Sequence, residues 1–320
     1  MANRFKLIVL AAILVLGGFG IQPGFAGEQK AVLITGASTG LGRNMAERLA
    51  KEGHFVYAGA RKDKDLAELD AIENIKAIRL DVTRQADVDA AVALIREEGR
   101  GLWGLVNNAG VASRAPVAAV TDEDVDFVFA VNVDGVVRVT RAFIPLIVES
   151  EGRIVTTGSI AGIRSSPGGS VYSMSKLAVE AFTDSLAAEM ADTGVQVSVI
   201  EPGAYKSRIR RNAIGRYMDD VAASGGEVPD ELRDQAKQLA EQEMAMDEPD
   251  DVSTALVHAL TADVALRRYL VTPNAEQAEN TVRALVRELA ERTAWKQNGF
   301  SRDELVQMLD EALNPQPASD

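Results

Sequence analysis

Short apolar runs alternate with longer stretches of helical periodicity from residue 30 onward, and this alternation limits the folds open to the chain. Several runs are almost continuous Val, Ile and Leu, which is typical of strands covered on both faces. Strands that alternate with helices form βαβ units. The sequence therefore predicts an α/β fold, a doubly wound parallel sheet of about seven strands with helices on both faces. The predicted strands are residues 31–35, 55–58, 75–80, 102–106, 153–157, 195–200 and 269–271, and the clearest helical stretches are 45–51, 85–98, 125–148 and 173–190.

One domain over residues 29–313 accounts for this pattern, with a C-terminal helical extension after the last strand. A polar, helix-prone insertion over residues 222–248 separates the sixth and seventh strands, and residues 204–250 are predicted to close over a substrate. The side chains of Tyr217, Met218, Met244 and Met246 are either an adaptable apolar lid or the packing of ordinary surface helices. Residues 314–320 predict a disordered tail.

The first 26 residues form a separate segment. Arg4 and Lys6 precede an apolar run over residues 7–16, and small residues fall at Gly24 and Ala26, which is typical of a signal peptide cleaved after Ala26. Residues 7–26 are also long enough for an uncleaved membrane anchor. The basic start would then hold the N-terminus in the cytoplasm and put the domain outside. Both interpretations remain open.

Charge and composition exclude several classes of function. The net charge is −13 and the basic residues are scattered, so a nucleic-acid partner is not expected. The chain has no cysteine, which excludes disulfides and thiolate chemistry. His54 and His258 lie far apart without metal-ligand spacing, so neither a metal site nor a Ser-His-Asp triad is expected.

A glycine-rich turn follows the first predicted strand, and a predicted helix follows the turn. Its sequence is Gly36-Ala37-Ser38-Thr39-Gly40-Leu41-Gly42. A pyrophosphate needs backbone N–H donors close to it, and glycine permits that approach at a helix N-terminus. The turn therefore predicts a dinucleotide site in a Rossmann-type fold, although the spacing differs from the usual Gly-x-Gly-x2-Gly. The alternative is a tight loop without a ligand.

The end of the second predicted strand tests which dinucleotide binds. An acid there would bind the 2′-hydroxyl of the adenosine ribose, but this strand ends in Ala60-Arg61-Lys62. Arg61 can pair with a 2′-phosphate through its planar guanidinium, which favours NADP(H) over NAD(H). The alternative is a solvated turn. After the third strand, Asp81 and Val82 are candidates for contact with adenine, unless Asp81 only caps the next helix.

Tyr172 and Lys176 lie four residues apart on a predicted helix and so share one face. A free tyrosine titrates near pH ~10, too high for efficient proton transfer at neutral pH. A nearby ammonium stabilises the phenolate, but a shift of about three units takes roughly 4 kcal/mol, so a positively charged cofactor would have to contribute.

Two polar residues upstream complete the candidate catalytic set. Ser159 follows the fifth strand, at the sheet edge where ligands bind, and its hydroxyl can bind a substrate oxygen. Asn132 lies in the helix before that strand, where its amide can hold Lys176 through a water. The structural alternatives are a loop serine and a capping or core asparagine.

Together these elements resemble the short-chain dehydrogenase/reductase family from about residue 30 to 207. The matching elements are Thr35-Gly36-x3-Gly40-x-Gly42, Asn107-Asn108-Ala109-Gly110, Asn132, Ser159, Tyr172-x3-Lys176 and Pro202-Gly203. Gly158 departs from the pattern, because the family often has Ser there. Residues 159–162, 200–204 and 268–271 look similar to the branch that contains 17-beta-hydroxysteroid and retinol dehydrogenases.

The resemblance implies a role for each matched residue. Tyr172 exchanges a proton with the substrate oxygen, and Ser159 positions and polarises that oxygen. Lys176 lowers the pKa of Tyr172 and holds the nicotinamide ribose, and Asn132 maintains a proton-relay water. The residues expected to bind the cofactor are Thr35, Gly36, Ser38, Thr39, Gly40, Leu41, Gly42, Arg61, Asp81, Val82, Asn108, Ala109, Gly110, Tyr172, Lys176, Pro202, Gly203 and Ser207.

The expected function is hydride transfer between NADP(H) and a lipophilic secondary alcohol, ketone or aldehyde. The family also implies a homo-oligomer built through the helices of Asn132 and Tyr172, and residues 7–26 offer a possible membrane association. An exported domain is in tension with a cofactor found mainly inside cells. The alternatives are a non-catalytic dinucleotide-binding sensor and an exported Rossmann-fold protein with a vestigial site.

Overall fold

The computed structural model describes residues 29–223, 225–295, 297 and 299–314. The described chain divides into two compact units, one ending at Pro273 and the other beginning at Asn274. The predicted signal peptide or anchor, residues 1–26, lies outside the described residues, and so does the predicted tail apart from Asn314. Within the described part, no helix is long and apolar enough to cross a bilayer.

Seven strands form one parallel sheet in the first unit: β1 (Ala31–Ile34), β2 (Phe55–Ala60), β3 (Ile75–Arg79), β4 (Gly104–Asn107), β5 (Arg153–Thr157), β6 (Gln196–Pro202) and β7 (Arg268–Val271). The strand order is β3-β2-β1-β4-β5-β6-β7. Leu33 of β1 pairs with Tyr57 of β2 on one side and with Leu105 of β4 on the other. The direction of winding reverses between β1 and β4, so the predicted doubly wound α/β class is confirmed.

Helices connect the strands and cover both faces of the sheet. The helices of the first unit are α1 (Gly40–Lys51), α2 (Asp63–Asp70), α3 (Gln85–Glu98), α4 (Asp122–Phe129), α5 (Gly135–Glu149), α6 (Ser170–Glu189), α7 (Ile209–Ala223), α8 (Asp230–Met244) and α9 (Asp250–Thr261). Thr121 starts α4 by accepting a hydrogen bond from the backbone N–H of Asp124. Gly99 ends α3 with a φ of 66°, in the left-handed region that glycine adopts without strain.

The two faces of the sheet carry separate apolar cores, because successive side chains along a strand point to opposite faces. On β1, Leu33 packs in one core with Phe143 of α5, whereas Ile34 packs in the other core with Leu49 of α1. The first core also takes residues from α3 and α6, and the second takes residues from α2 and α9. Burial on both faces is why the strands read as continuous apolar runs.

The long helix predicted over residues 125–148 is wrong in one respect. Residues Ala130–Asp134 form a π-helical turn between α4 and α5. The turn contains Asn132, whose amide bonds to the backbone of Val111 outside the helix. Such single π-turns frequently occur at functional sites.

The predicted insertion between the sixth and seventh strands contains the end of α7 and all of α8. Arg216 ties α7 to α4. Its Nε lies 3.7 Å from Oδ1 of Asp124, and its guanidinium carbon lies 3.8 Å from the ring centroid of Phe127. The segment after β6 is therefore attached to α4.

The second unit consists of α10 (Ala275–Thr293) and α11 (Arg302–Leu313), as predicted for a C-terminal helical extension. Asn274 starts α10 by accepting a hydrogen bond from the backbone N–H of Gln277. Ser301 and Glu304 start α11 with a reciprocal capping box.

Candidate active site

The glycine-rich turn between β1 and α1 is anchored to the end of β4. The hydroxyl of Thr35 accepts hydrogen bonds from the backbone N–H groups of Asn108 at 2.9 Å and Ala109 at 3.0 Å. The side-chain amide of Asn108 donates in return to the backbone oxygens of Thr35 and Gly36. These bonds fix the turn next to the carboxyl ends of the two central strands, which is the topological switch point of the sheet.

Glycine is required at two positions of this turn by close backbone approach. Gly36 has a φ of 66°, and a Cβ there would lie 2.8 Å from the Cα of Ala109. A Cβ at Gly42 would overlap the backbone oxygen of Gly36 and the amide of Asn108. No side chain caps the start of α1 at Thr39, so the first N–H groups of that helix are left for another acceptor.

A crevice of about 280 Å³ runs along this edge of the sheet from the glycine-rich turn to Tyr172. Every predicted cofactor-binding residue except Thr35 lines it, and Thr35 lies buried beneath the turn. The predicted residues in the lining are Gly36, Ser38, Thr39, Gly40, Leu41, Gly42, Arg61, Asp81, Val82, Asn108, Ala109, Gly110, Tyr172, Lys176, Pro202, Gly203 and Ser207. A glycine-lined crevice with an open helix N-terminus fits a dinucleotide.

Arg61 and Asp81 face each other at one end of the crevice. The guanidinium of Arg61 lies 3.9 Å from Oδ2 of Asp81, and the Arg61 side chain is 62% exposed. Burial acts to raise the pKa of Asp81, but hydrogen bonds from Thr83 and the charges of Arg61 and Arg84 outweigh it and lower that pKa. Asp81 does not cap α3, because its side chain bonds to Thr83 and the N-cap residue is Arg84.

Tyr172 and Ser159 lie together at the other end of the crevice. Burial raises the pKa of Tyr172, while hydrogen bonding with Ser159 and the positive charge of Arg210 act to lower it. Ser159 lies directly after β5 and its hydroxyl also accepts a hydrogen bond from the N–H of Ala161 at 3.1 Å. The predicted lowering of the Tyr172 pKa by Lys176 stays a prediction for the cofactor-bound protein.

Lys176 is 4% exposed and lies one turn of α6 after Tyr172. Its Nζ donates to the backbone oxygen of Thr157 at 2.7 Å and lies 5.8 Å from the centroid of the Tyr172 ring. Burial lowers the pKa of Lys176 to about 8, while the charge of Glu180 acts to raise it. The ammonium therefore lies between the end of β5 and the tyrosine.

Asn132 lies behind the crevice lining and is 1% exposed. Its Oδ1 accepts from the N–H of Val111 at 2.9 Å, and its Nδ2 donates to the backbone oxygen of Val111 at 2.9 Å and to the hydroxyl of Ser175 at 3.0 Å. Asn132 Oδ1 and Lys176 Nζ lie 3.5 Å and 3.8 Å from the position that a Cβ on Gly110 would take. The two polar atoms thus flank the same small space.

Several residues that line the crevice were not predicted from the sequence. Thr157 and Gly158 could have been predicted as lining residues, because they lie at the end of β5 and ligands bind at the carboxyl ends of strands. The lining residues after β6 fall in the segment 204–250 that was predicted to close over a substrate, but no pattern in the sequence singled them out. The additional lining residues are Ala60, Leu80, Val111, Val131, Thr157, Gly158, Tyr205, Arg208, Ile209 and Asn212.

The four side chains named for an apolar lid lie outside the crevice lining in this structure, so closure over a substrate stays a prediction. Tyr217, Met218, Met244 and Met246 are all absent from the crevice lining, and Met244 is 77% exposed. Across the described ranges, no group of three His, Asp or Glu side chains is placed to hold a metal ion.

A model of the short-chain dehydrogenase family matches residues 30–216, which contain the glycine-rich turn and the tyrosine–lysine pair. The chain belongs to this family. Family membership makes the protein an oxidoreductase, and the predicted resemblance is confirmed, including that to the branch with retinol and 17-beta-hydroxysteroid dehydrogenases.

Known relatives match most of the chain. The mitochondrial D-beta-hydroxybutyrate dehydrogenase of Rattus norvegicus is 35% identical over 264 residues, covering 76% of this chain and 77% of that protein. Retinol dehydrogenase 7 of Mus musculus is 34% identical over 254 residues, covering 76% and 80%. The crystal structure of a 3-ketoacyl-(acyl-carrier-protein) reductase from Brucella melitensis, complexed with NADH, matches with a TM-score of 0.64 and 25% identity, covering 78% and 99%.

Gly158 departs from the family pattern for a physical reason. A Cβ at this position would lie 2.8 Å from Cγ2 of Val199 and 2.9 Å from Oε1 of Glu180. The space that a serine side chain would take is therefore occupied by the carboxyl group of Glu180.

Proposed function

We propose that this short-chain dehydrogenase transfers a hydride between NADP(H) and a secondary alcohol, a ketone or an aldehyde. The observation that carries the proposal is that Ser159, Tyr172 and Lys176 line the same crevice as the glycine-rich turn. A bound nicotinamide supplies or accepts the hydride. The chain binds and orients the reactants and moves the proton.

The proton is handled at the Tyr172 hydroxyl. In the direction of reduction, this hydroxyl donates its proton to the substrate oxygen, and in oxidation the phenolate takes the proton back. Ser159 donates a hydrogen bond to the same substrate oxygen and so orients the carbonyl or alcohol. Lys176 favours the phenolate by its charge. A water in the small space between Lys176 and Asn132 would pass a proton from solvent to Tyr172 after reduction, and from Tyr172 to solvent after oxidation.

The preference for NADP(H) rests on Arg61. No acid ends β2, and the exposed guanidinium of Arg61 follows this strand. Its contact with Asp81 is long and exposed, so separating the pair costs little, about 0–1 kcal/mol. A dianionic phosphate can therefore replace Asp81 as the partner of Arg61.

A lipophilic substrate is favoured by apolar side chains that line the crevice. Val111, Tyr205 and Ile209 line the crevice. The relationship to a retinol dehydrogenase supports an apolar alcohol or aldehyde as the first class to test.

A second substrate class is favoured by two arginines of the segment after β6. Arg208 lines the crevice, and Arg210 is close enough to Tyr172 to lower the pKa of its hydroxyl. A carboxylate next to the reacting carbon could pair with either guanidinium. The similarity to a D-beta-hydroxybutyrate dehydrogenase supports a hydroxy acid as this second candidate.

Replacement of Tyr172 by Phe tests the proposed function. NADPH binding to the full chain, followed by fluorescence, should be retained, and turnover of a panel of apolar ketones, aldehydes and 3-oxo acids should fall about 10²–10⁴-fold. Tyr217→Phe is the matched control and should keep its activity, because Tyr217 lies outside the crevice lining. Binding without turnover in the wild-type protein would support the non-catalytic sensor instead, and absence of NADPH and NADH binding would support a vestigial site.

The same panel separates the two substrate classes. If the substrate carries a carboxylate, Arg210→Ala should reduce kcat/KM for 3-oxo acids by about tenfold more than for apolar ketones, since the loss of its charge near Tyr172 acts on both classes alike. If Arg210→Ala changes kcat/KM equally for both classes, the apolar class remains the proposed substrate.

A homo-oligomer built through α4, α5 and α6, and export or membrane association through residues 1–26, remain proposals. Sedimentation of the full chain with and without detergent tests both.

A further inference from the structure

Two buried carboxyl groups lie behind the crevice lining, next to the end of β5. Glu180 of α6 is 8% exposed and Glu201 of β6 is 4% exposed. Neither lines the crevice, and neither has a part in the proposed proton transfer. A buried carboxylate is costly unless positive charge and hydrogen-bond donors compensate it.

The two carboxyl groups share one arginine as their ion-pair partner. Nε of Arg268 lies 3.1 Å from Oε2 of Glu180 and 4.0 Å from Oε1 of Glu201, and the guanidinium also bonds to Asp184 at 2.7 Å. Asp184, which is half exposed, has a second cation in Arg267 at 3.9 Å. If both buried acids were ionised, Arg268 could compensate only one of them.

One oxygen of Glu180 lacks a partner. Oε1 is buried and accepts no hydrogen bond from any described residue. It lies against Gly158, and the Glu201 carboxyl is within hydrogen-bond reach of Glu180 when one of the acids holds a proton. Buried polar atoms are almost always hydrogen-bonded, and a proton held between the two acids gives the pair a hydrogen bond that two carboxylates cannot form.

We propose that Glu180 and Glu201 share one proton at neutral pH, and that this pair acts as a positioning element that sets the charge near Lys176. The proposal concerns the active site of the dehydrogenase and rests on the proposed function only for its effect on turnover. Sharing of the proton is a property of the cofactor-free protein.

The pair contacts both elements that carry the candidate catalytic residues. Glu180 lies one turn after Lys176 on α6, and its Oε1 contacts Gly158, which precedes Ser159. The charged groups that face the pair are Lys176 and Asp184 on α6 and Arg268 on β7. A change in the charge of the pair therefore acts on Lys176 as well as on Arg268.

The direction of the effect follows from the pKa shifts. Burial and the charge of Glu180 raise the pKa of Glu201 to about 7, and burial also raises the pKa of Glu180. Above that pH, the pair carries a second negative charge. Since the charge of Glu180 raises the pKa of Lys176, loss of the shared proton keeps Lys176 protonated to higher pH.

Infrared difference titration of the cofactor-free full chain tests the shared proton. We expect a protonated-carboxyl band in the wild-type protein that disappears near pH 7 and is missing in Glu201→Gln. Glu243→Gln is the matched control, because Glu243 is also 4% exposed but pairs with Arg211 instead. The band should persist unchanged in this control. A wild-type protein without such a band, or a band that survives in both Glu201→Gln and Glu180→Gln, would overturn the proposal.

The pH profile of turnover tests the effect on Lys176. In Glu201→Gln the pair gains no second negative charge at high pH, so Lys176 should lose its proton at a lower pH than in the wild type. The basic limb of the pH profile of kcat/KM should therefore move to lower pH. A merely structural role would lower the rate at every pH without moving the limb, and that result would overturn the effect on Lys176. If no substrate is turned over, the proposed function fails, whereas the infrared titration still decides whether the acids share a proton.

Discussion

The ammonium group of Lys176 donates a hydrogen bond to the backbone oxygen of Thr157 at 2.7 Å, which joins α6 to the end of β5. An ammonium has three donors, so two remain for a substrate-side partner or a water. The bond orients Lys176 before any cofactor binds. The tyrosine–lysine pair is thus held by the strand that leads into Ser159.

The buried charge of Lys176 should cost stability. Its folded pKa of about 8 lies below the ordinary value of 10.5, so the folded state binds fewer protons than the unfolded state between these values. The cost is therefore complete below about pH 8 and declines as the pH rises toward 10.5. We expect Lys176→Met to lose activity at least about a hundredfold. We also expect it to melt at a higher temperature than the wild type near pH 7, with a smaller difference near pH 10.

Thermal unfolding at both pH values checks this prediction. Lys64→Met is the control, because the Lys64 side chain is 84% exposed and pairs with Glu68 on the surface. A Lys176→Met protein less stable than the wild type near pH 7 would mean that the bond to Thr157 outweighs the cost of burial.

Asn132 should matter for stability as well as for activity. Its amide satisfies both backbone groups of Val111, and an apolar side chain of similar size would leave them without partners. We expect Asn132→Leu to lower the free energy of unfolding by about 1–3 kcal/mol, the cost of an unsatisfied buried polar group. Urea unfolding measures this free energy. Asn314→Ala, at an exposed C-cap, is the control and should change the free energy of unfolding by less than about 0.5 kcal/mol. A stable Asn132→Leu variant that lacks only activity would favour the water relay as the main role.

Alanine at Gly42 should disturb the glycine-rich turn. The added Cβ overlaps Gly36 and Asn108, and such overpacking costs about 1–3 kcal/mol. We expect weaker NADPH binding and a lower melting temperature. Gly215→Ala is the matched control, since its Cβ meets open space in the helix α7, and it should raise stability by about 0.5–1 kcal/mol. Unchanged NADPH affinity in Gly42→Ala would argue against binding of the pyrophosphate at this turn.

Arg61→Ala should change the choice of cofactor. Loss of a charge-assisted contact with the 2′-phosphate should weaken NADPH binding by about tenfold or more, which corresponds to about 1.4 kcal/mol. NADH binding should stay the same. Fluorescence titration with both cofactors measures this, with Arg48→Ala as a control, because Arg48 pairs with Glu52 at the far end of α1. Stronger binding of NADH than NADPH by the wild-type protein would contradict the proposed preference.

The sheet and the crevice could be predicted because their signals are local. Continuous apolar runs predicted the positions of the strands, and β5 begins and ends at the predicted residues 153–157. The turn at Gly36 and the pair of Tyr172 and Lys176 have fixed spacing within one strand-turn-helix unit or one helix. Most of the crevice lining followed from these local patterns together with the rule for strand carboxyl ends.

The features that could not be predicted depend on contacts between distant segments. The apolar spacing continues through residues 130–134, so the sequence gives no local sign of the π-turn. The bond between Asn132 of this turn and Val111 joins residues that are distant in the sequence. Whether Asp81 caps α3 could not be predicted either, because its side chain bonds to Thr83 and faces Arg61 instead. The pairing of Glu180 with Glu201 is likewise invisible in one sequence, because a helix and a strand bring them together.

The close approach of Gly36 to Ala109 has a consequence for how this sequence can change over time. The atom that a side chain at residue 36 would meet first is the backbone Cα of Ala109, so no change of side chain at residue 109 would make room for it. The positive φ at residue 36 would oppose such a change as well. We therefore expect residue 36 to stay glycine in any descendant that keeps this crevice, which makes it an unsuitable site for altering the enzyme by directed evolution.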